Sequence, residues 1–205
     1  MSLSIEVLSD EHCRKVLPQL AELRVTVFAD YPYLYDGSVD YEARYLETFL
    51  SSEHAVIVGA FDDDVLVGAA TGSPLNDHHD DFAAAFDETG FDLENLFYCA
   101  ESVLLPAYRG RGIGHRFFDE RERHAKGLGF SHSCFCAVVR PDDHPSRPQS
   151  YETLERFWKK RGYEKLNGAL ATFSWKEHGE SEESAKPMQF WIRSLGSGFG
   201  DLSHG

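Results

Sequence analysis

Apolar positions along the chain repeat with two periods, and each switch marks a new element. A short run from Ile5 to Leu8 reads as a strand. Ser9, with Asp10 and Glu11 behind it, is a helix cap, and Val16, Leu20, Leu23 and Val27 then follow at helical spacing. Pro32 disfavours helical geometry at Tyr31, so Tyr31-Pro-Tyr-Leu-Tyr-Asp-Gly37 is predicted as an aromatic loop. A second helix begins near Ser38 or Asp40, with Tyr41, Tyr45, Leu46 and Phe49 on one face. Two β-rich runs, Ala55 to Phe61 and Val65 to Ser73, joined by Asp62-Asp63-Asp64, predict a hairpin. Residues 74–94 are polar, acidic and irregular.

The run Leu96 to Leu105, ended by Pro106, reads as one continuous central strand. A glycine-rich turn opens a charged helix with Ile113, Phe117 and Leu128 inward, stopped by Gly127 and Gly129. From Ser133 to Val139, Cys134, Cys136 and Val138 alternate with Phe135, Ala137 and Val139, the pattern of a strand. After a proline-rich loop, Arg140 to Pro148, a helix is predicted from Ser150, with Tyr151, Leu154, Phe157 and Trp158 as its stripe and Gly162 as its stop. Runs 169–175 and 188–194 are expected to pair antiparallel. No repeat or long linker interrupts this, so residues 1–205 are expected to form one α/β domain with a mixed sheet.

Charge narrows the function. A net charge of −14 argues against binding to nucleic acid or an anionic membrane. Residues 1–108 hold 4 basic and 21 acidic side chains, whereas residues 109–205 hold 16 basic and 13 acidic, so an anionic ligand is expected in the second half. There is no run of ~20 apolar residues and no basic-then-apolar leader, which predicts a soluble cytoplasmic protein. Cys13, Cys99, Cys134 and Cys136 lack CxxC spacing and are expected to stay reduced. Asn76-Asp-His-His-Asp-Asp81 carries metal-ligand residue types, but adjacent residues rarely converge on one ion, and no metal is expected.

The chemistry concentrates in Leu104-Leu-Pro-Ala-Tyr-Arg-Gly-Arg-Gly-Ile-Gly-His115, a strand and glycine turn opening a helix, which suits phosphate. A Walker loop would need Gly-Lys-Ser/Thr, and a dinucleotide fingerprint would need glycine at His115, so both templates fail. The segment does match Arg/Gln-x-x-Gly-x-Gly/Ala, as Arg109-Gly-Arg-Gly112-Ile-Gly114, and here the chain resembles the GNAT-type N-acetyltransferases. Arg156-Phe-Trp-Lys-Lys-Arg-Gly-Tyr163 resembles that family's Phe-Tyr-x-x-x-Gly-Phe segment. The resemblance is strongest over residues 95–165.

The resemblance implies a single GNAT-like domain, its mostly antiparallel mixed sheet splayed between two central strands with helices on both faces. It implies transfer of an acetyl group from acetyl-CoA, or another acyl-CoA, to an amine by direct attack in a ternary complex. Backbone N–H groups of Arg109, Gly110, Arg111, Gly112, Ile113, Gly114 and His115 would cradle the pyrophosphate. Val103, Leu104 and Leu105 would pair with the pantetheine arm, and Phe157 and Trp158 would border the cofactor. Glu101, a carboxylate inside an apolar strand on the Val103 face, is the candidate base, with salt bridging to an arginine as its structural alternative. Trp158 stands where the family has its tyrosine acid, which leaves Tyr151 or Tyr98 to donate and makes a non-catalytic acyl-CoA-binding or regulatory module the alternative reading. Candidate acceptor residues are Tyr33, Tyr35 and Asp36 in the first loop and Arg140 and His144 in the second, suited to a small neutral or cationic amine. The oligomeric state is left open, a homodimer included.

Overall fold

In the computed structural model, which describes residues 2–196, strand β1 (Leu3–Val7) leads into α1 (Asp10–Phe28). Ser9 caps this helix, its Oγ accepting the His12 N–H at 3.3 Å. Helix α2 (Val39–Phe49) follows the aromatic loop, and β2 (Val56–Asp62) and β3 (Val65–Pro74) form the expected hairpin. Next come α3 (His79–Phe86), β4 (Leu96–Tyr98), β5 (Ser102–Leu104), α4 (Ile113–Gly127) and β6 (His132–Val138). A short α5 (Glu155–Lys160) and the long antiparallel pair β7 (Glu164–Trp175) and β8 (Ser184–Ser194) complete the fold. The sheet runs β1-β2-β3-β4-β6-β8-β7, with β5 beside β3.

Alternation along the strands sends side chains into opposite layers. Phe97, Leu104 and Phe135 pack with Ile113, Phe117 and Phe118 of α4 and with Phe157 and Trp158 of α5. Val103 and Ala69 face α1 and α2, while Tyr98, Cys134 and Cys136 face Phe82 and Phe86 of α3. Helices therefore cover both faces, as the resemblance implied. All four cysteines are buried and outside any disulfide.

Five expectations are corrected. The irregular stretch 74–94 contains α3, because Phe82 and Phe86 reach the ring cluster of Tyr98 and Phe190. The helix expected from Ser150 begins at Glu155: Tyr151 turns away to meet Tyr31 edge-on at 4.6 Å, and Leu154 is 56% exposed. Leu128 lies beyond the last helical residue and is exposed. Tyr41 is also exposed, and Glu42 takes the inward place on α2.

The fifth correction positions the site. The run 96–105 is not one strand. Leu96–Tyr98 pairs in parallel with His132–Cys134, and the Cys99 N–H still donates to Cys134 O at 2.8 Å. Beyond it the chain pairs with β3 alone, Ala100 N–H reaching Thr71 O at 3.1 Å, while β6 continues beside β8. A wedge opens between residues 100–105 and 135–138. Buried Arg121 of α4 satisfies the interrupted backbone. Its Nη1 donates to Thr71 O (3.0 Å) and Glu101 O (2.9 Å), and its Nη2 to Ser102 Oγ (2.9 Å). The splay implied by the resemblance is this break.

Candidate functional site

At the open end of β5 the chain turns through Gly110 and Gly112, whose φ angles of +75° and +79° are costly for residues with a Cβ. A Cβ at either would meet nothing within 4 Å, so the outer side of this backbone is an open, shallow cradle. Gly112 is the N-cap of α4; it contributes no side-chain cap, and the first turn holds no acid. The positive helix end therefore faces outward without a side-chain anion. Exposed Arg109, Arg111 and Arg116 surround it; Arg109 Nε donates to Leu104 O at 3.3 Å and Arg111 lies over the Tyr108 ring. Ile113 is buried and fixes the helix start against the sheet. His115 packs on Phe157, Phe157 would lie 3.5 Å from a Cβ at Gly114, and Trp158 fills the space between Phe135 and Trp191. These residues fit a pyrophosphate in the cradle.

The backbone of β5 limits which residues can meet an extended arm. Glu101 O accepts Thr71 N–H and Leu105 N–H donates to Val67 O, both at 3.0 Å, so alternation commits Val103 to β3 as well. Backbone groups facing the wedge belong to Leu104 and to Ser102, which the sequence reading missed and strand parity would have supplied.

Glu101 projects to the α1/α2 side, as its place on the Val103 face implied. One carboxylate oxygen pairs with Arg24 Nη1, and Arg24 Nε lies 2.5 Å from Glu42 Oε2. The guanidinium is covered by the rings of Tyr45 (4.7 Å) and Phe28 (5.2 Å), and the Glu42 carboxylate adds to burial in raising the Tyr35 phenol. Neither Arg24 nor Glu42 was singled out from sequence, although each interrupts an apolar helical stripe. Along the same sheet face, Tyr98 OH and Cys136 Sγ lie 3.2 Å apart, and Thr71 Oγ1 is buried without a hydrogen-bond partner. Burial pushes the Cys136 thiol up to about 12, raises the Tyr98 phenol well above its ordinary range, and raises Tyr33 and Tyr35.

The other acceptor candidates divide. Tyr33 packs against Phe28 and Trp175, and Tyr31 gathers His144 (5.6 Å) and Tyr151 (4.6 Å) into one aromatic group. Arg140 spends its donors on Pro32 O (2.7 Å), Tyr33 O (3.2 Å) and Glu177 (2.6 Å), which makes it a strut of the loop. Asp36 is exposed and turned to Lys176 at 2.7 Å, whose hydrogen bond lowers its pKa. His78 of the acidic segment bonds Ser73 Oγ at 2.9 Å; no group of three or more His, Cys, Asp or Glu among the described residues could hold a metal ion. None of their helices is long and apolar enough to cross a membrane.

Comparison with known proteins agrees with this geometry. A family model described as the acetyltransferase (GNAT) family matches residues 20–166. No curated protein matches the sequence. Among solved structures, a phosphinothricin acetyltransferase from Sinorhizobium meliloti in complex with AcCoA is similar at TM-score 0.56 and 20% identity, covering 96% of this chain and 90% of its own. A ribosomal-protein-alanine N-acetyltransferase from Brucella melitensis is similar at TM-score 0.60 and 12% identity, covering 93% and 99%. An aminoglycoside 6'-N-acetyltransferase complexed with coenzyme A is similar at TM-score 0.59 and 17% identity, covering 95% and 97%. With most of its length matched by the family model and its sheet split beside an uncapped glycine turn, the chain belongs to the GNAT acetyltransferase family.

Proposed function

We propose that the protein is an N-acetyltransferase that moves the acetyl group of acetyl-CoA to a small neutral or cationic amine by direct attack. The observation that carries this is the placement of a carboxylate, Glu101, at the sheet break, one strand-length from the uncapped turn at Gly112. Acetyl-CoA supplies an activated thioester carbonyl. Backbone N–H groups from Arg109 to His115 hold the pyrophosphate, and Ser102 and Leu104 offer their backbone to the extended arm. Glu101 takes the proton from the attacking amine, directly or through water. Tyr33 and Tyr35, with the Tyr31–His144–Tyr151 group, line the acceptor side. Tyr151, kept protonated by burial, is the proposed donor to the departing thiolate. The buried Cys136 thiol, pushed up to about 12, makes a poor nucleophile, which favours direct attack over an acyl-cysteine.

The test is acetyl-CoA-dependent thiol release with tyramine, spermidine, an aminoglycoside, alanine amide and glutamate as acceptors. Turnover is expected with the neutral or cationic amines, falling with added salt for the cations. Glu101→Gln should lower kcat by roughly 10²–10⁴-fold while acetyl-CoA still raises the melting temperature. Preference for glutamate, or unchanged turnover in Glu101→Gln, overturns the assignment. Trp158, at the position of the usual acid, favours a second reading as a non-catalytic acyl-CoA-binding module. Binding of acetyl-CoA with no turnover of any amine would establish that one.

A further inference from the structure

A charge count at the mouth of the wedge separates a structural ion pair from a catalytic one. A guanidinium taken out of water needs one carboxylate to balance it. Arg24 has two, and the trio carries one negative charge in excess. Glu42 is the deeper partner, its side chain 3% exposed against 12% for Glu101. The guanidinium lies under the rings of Tyr45 and Phe28. From the other side of the sheet Arg121 bonds the Glu101 carbonyl at 2.9 Å. Glu101 is thus gripped at its main chain and at Oε1, and neither bond uses Oε2.

Resting on the assignment of Glu101 as the base, we infer that Arg24 is a positioning residue that aims Glu101, and that Glu42 is the counter-ion that keeps Arg24 from quenching it. The other ionisable groups around the trio are Tyr35 and Tyr33 of the loop, Tyr45 of α2, Tyr98 of β4, Cys136 of β6 and Arg121 of α4. Burial raises the four phenols and the thiol, so all stay neutral near pH 7.

Two substitutions then move the titration of Glu101 in opposite directions, an outcome that loss of packing alone does not produce. Glu42→Gln leaves the whole guanidinium charge on Glu101 and shifts its titration down by about one pH unit; Arg24→Gln leaves two carboxylates without a cation and shifts it up by about as much. Glu101 is followed by ¹³C NMR of protein labelled at the glutamate Cδ, its resonance identified by Glu101→Gln. In parallel, the acid limb of kcat/KM with the fastest amine should move with the carboxyl titration. Arg24→Lys, which keeps the charge, should stay within a few tenths of a unit of wild type while kcat falls more than KM rises. Shifts of the same sign, or none, overturn the inference. Opposite NMR shifts without movement of the rate profile overturn Glu101 as the base and with it the catalytic purpose of the trio. If Arg24→Gln does not fold, an unshifted Glu101 in Glu42→Gln suffices to overturn it.

Discussion

Gly114→Glu should separate stability from cofactor binding, because the first turn of α4 rewards an acid in one and penalises it in the other. Gly114 is the second residue of α4, half-exposed, with helical φ, and an added Cβ would touch only Phe157 at 3.5 Å, an ordinary contact. Replacing glycine in a helix gains about 0.5 kcal/mol, and an acid in the first turn adds about 0.3–1 kcal/mol through the helix dipole. The ligand-free variant should therefore melt about 2–4 °C above wild type for a domain of this size. The same carboxylate, roughly 6 Å from a bound phosphate charge, repels it by about 3 kcal/mol at an effective dielectric of 20, a loss of about 10²-fold in affinity. At a CoA concentration of about 100 Kd for wild type, ligand stabilisation of about 2.7 kcal/mol should then fall to about 0.4 kcal/mol. Differential scanning fluorimetry with and without CoA reads both effects. A Gly114→Glu protein that melts well below wild type, or that gains as much from CoA as wild type does, would refute the placement of the phosphate. Gly112→Ala supplies the contrast: its φ of +79° costs about 1–2 kcal/mol, so the ligand-free melting temperature should drop although the new methyl group meets nothing.

Thiol chemistry gives a second check, since burial raises Cys13 to about 11 and Cys136 to about 12 and raises Cys99 and Cys134. With the thiolate as the reactive form, the native protein at pH 8 should resist Ellman's reagent for hours, and all four thiols should react in denaturant; rapid native labelling would contradict the packing. Tyr151→Phe should lower kcat by roughly tenfold or more with little change in acetyl-CoA binding if its phenol protonates the thiolate. Unchanged kcat would leave the thiolate to depart unaided. In the latter case Tyr98→Phe, which removes the hydroxyl 3.2 Å from Cys136, is the next variant to assay.

The uneven legibility of this chain follows from where each signal is written. The turn proposed to hold the cofactor stands out because its chemistry is local: Arg109 to His115 carry the glycines, the helix start and the positive charge within one short segment. The strand break does not, because Cys99-Ala100 continues the apolar run of Leu96 to Tyr98, and its geometry depends on Thr71 and Arg121, distant in the chain. Loop residues carry a weaker signal for a related reason. A polar side chain in a loop costs little, so the presence of Asp36 or Arg140 says little about a ligand, and both hold the loop in place. A charged residue in an apolar stripe is different, since burying it is unfavourable unless a partner offsets the loss of water. Arg24, Glu42, Glu101 and Arg121 each break such a stripe, on three helices and at the break between β4 and β5, and the fold brings all four to the same point of the sheet. Glu101 alone was picked out by this criterion. Applied to the helices as well as to the strand, the same criterion finds the partners that aim it.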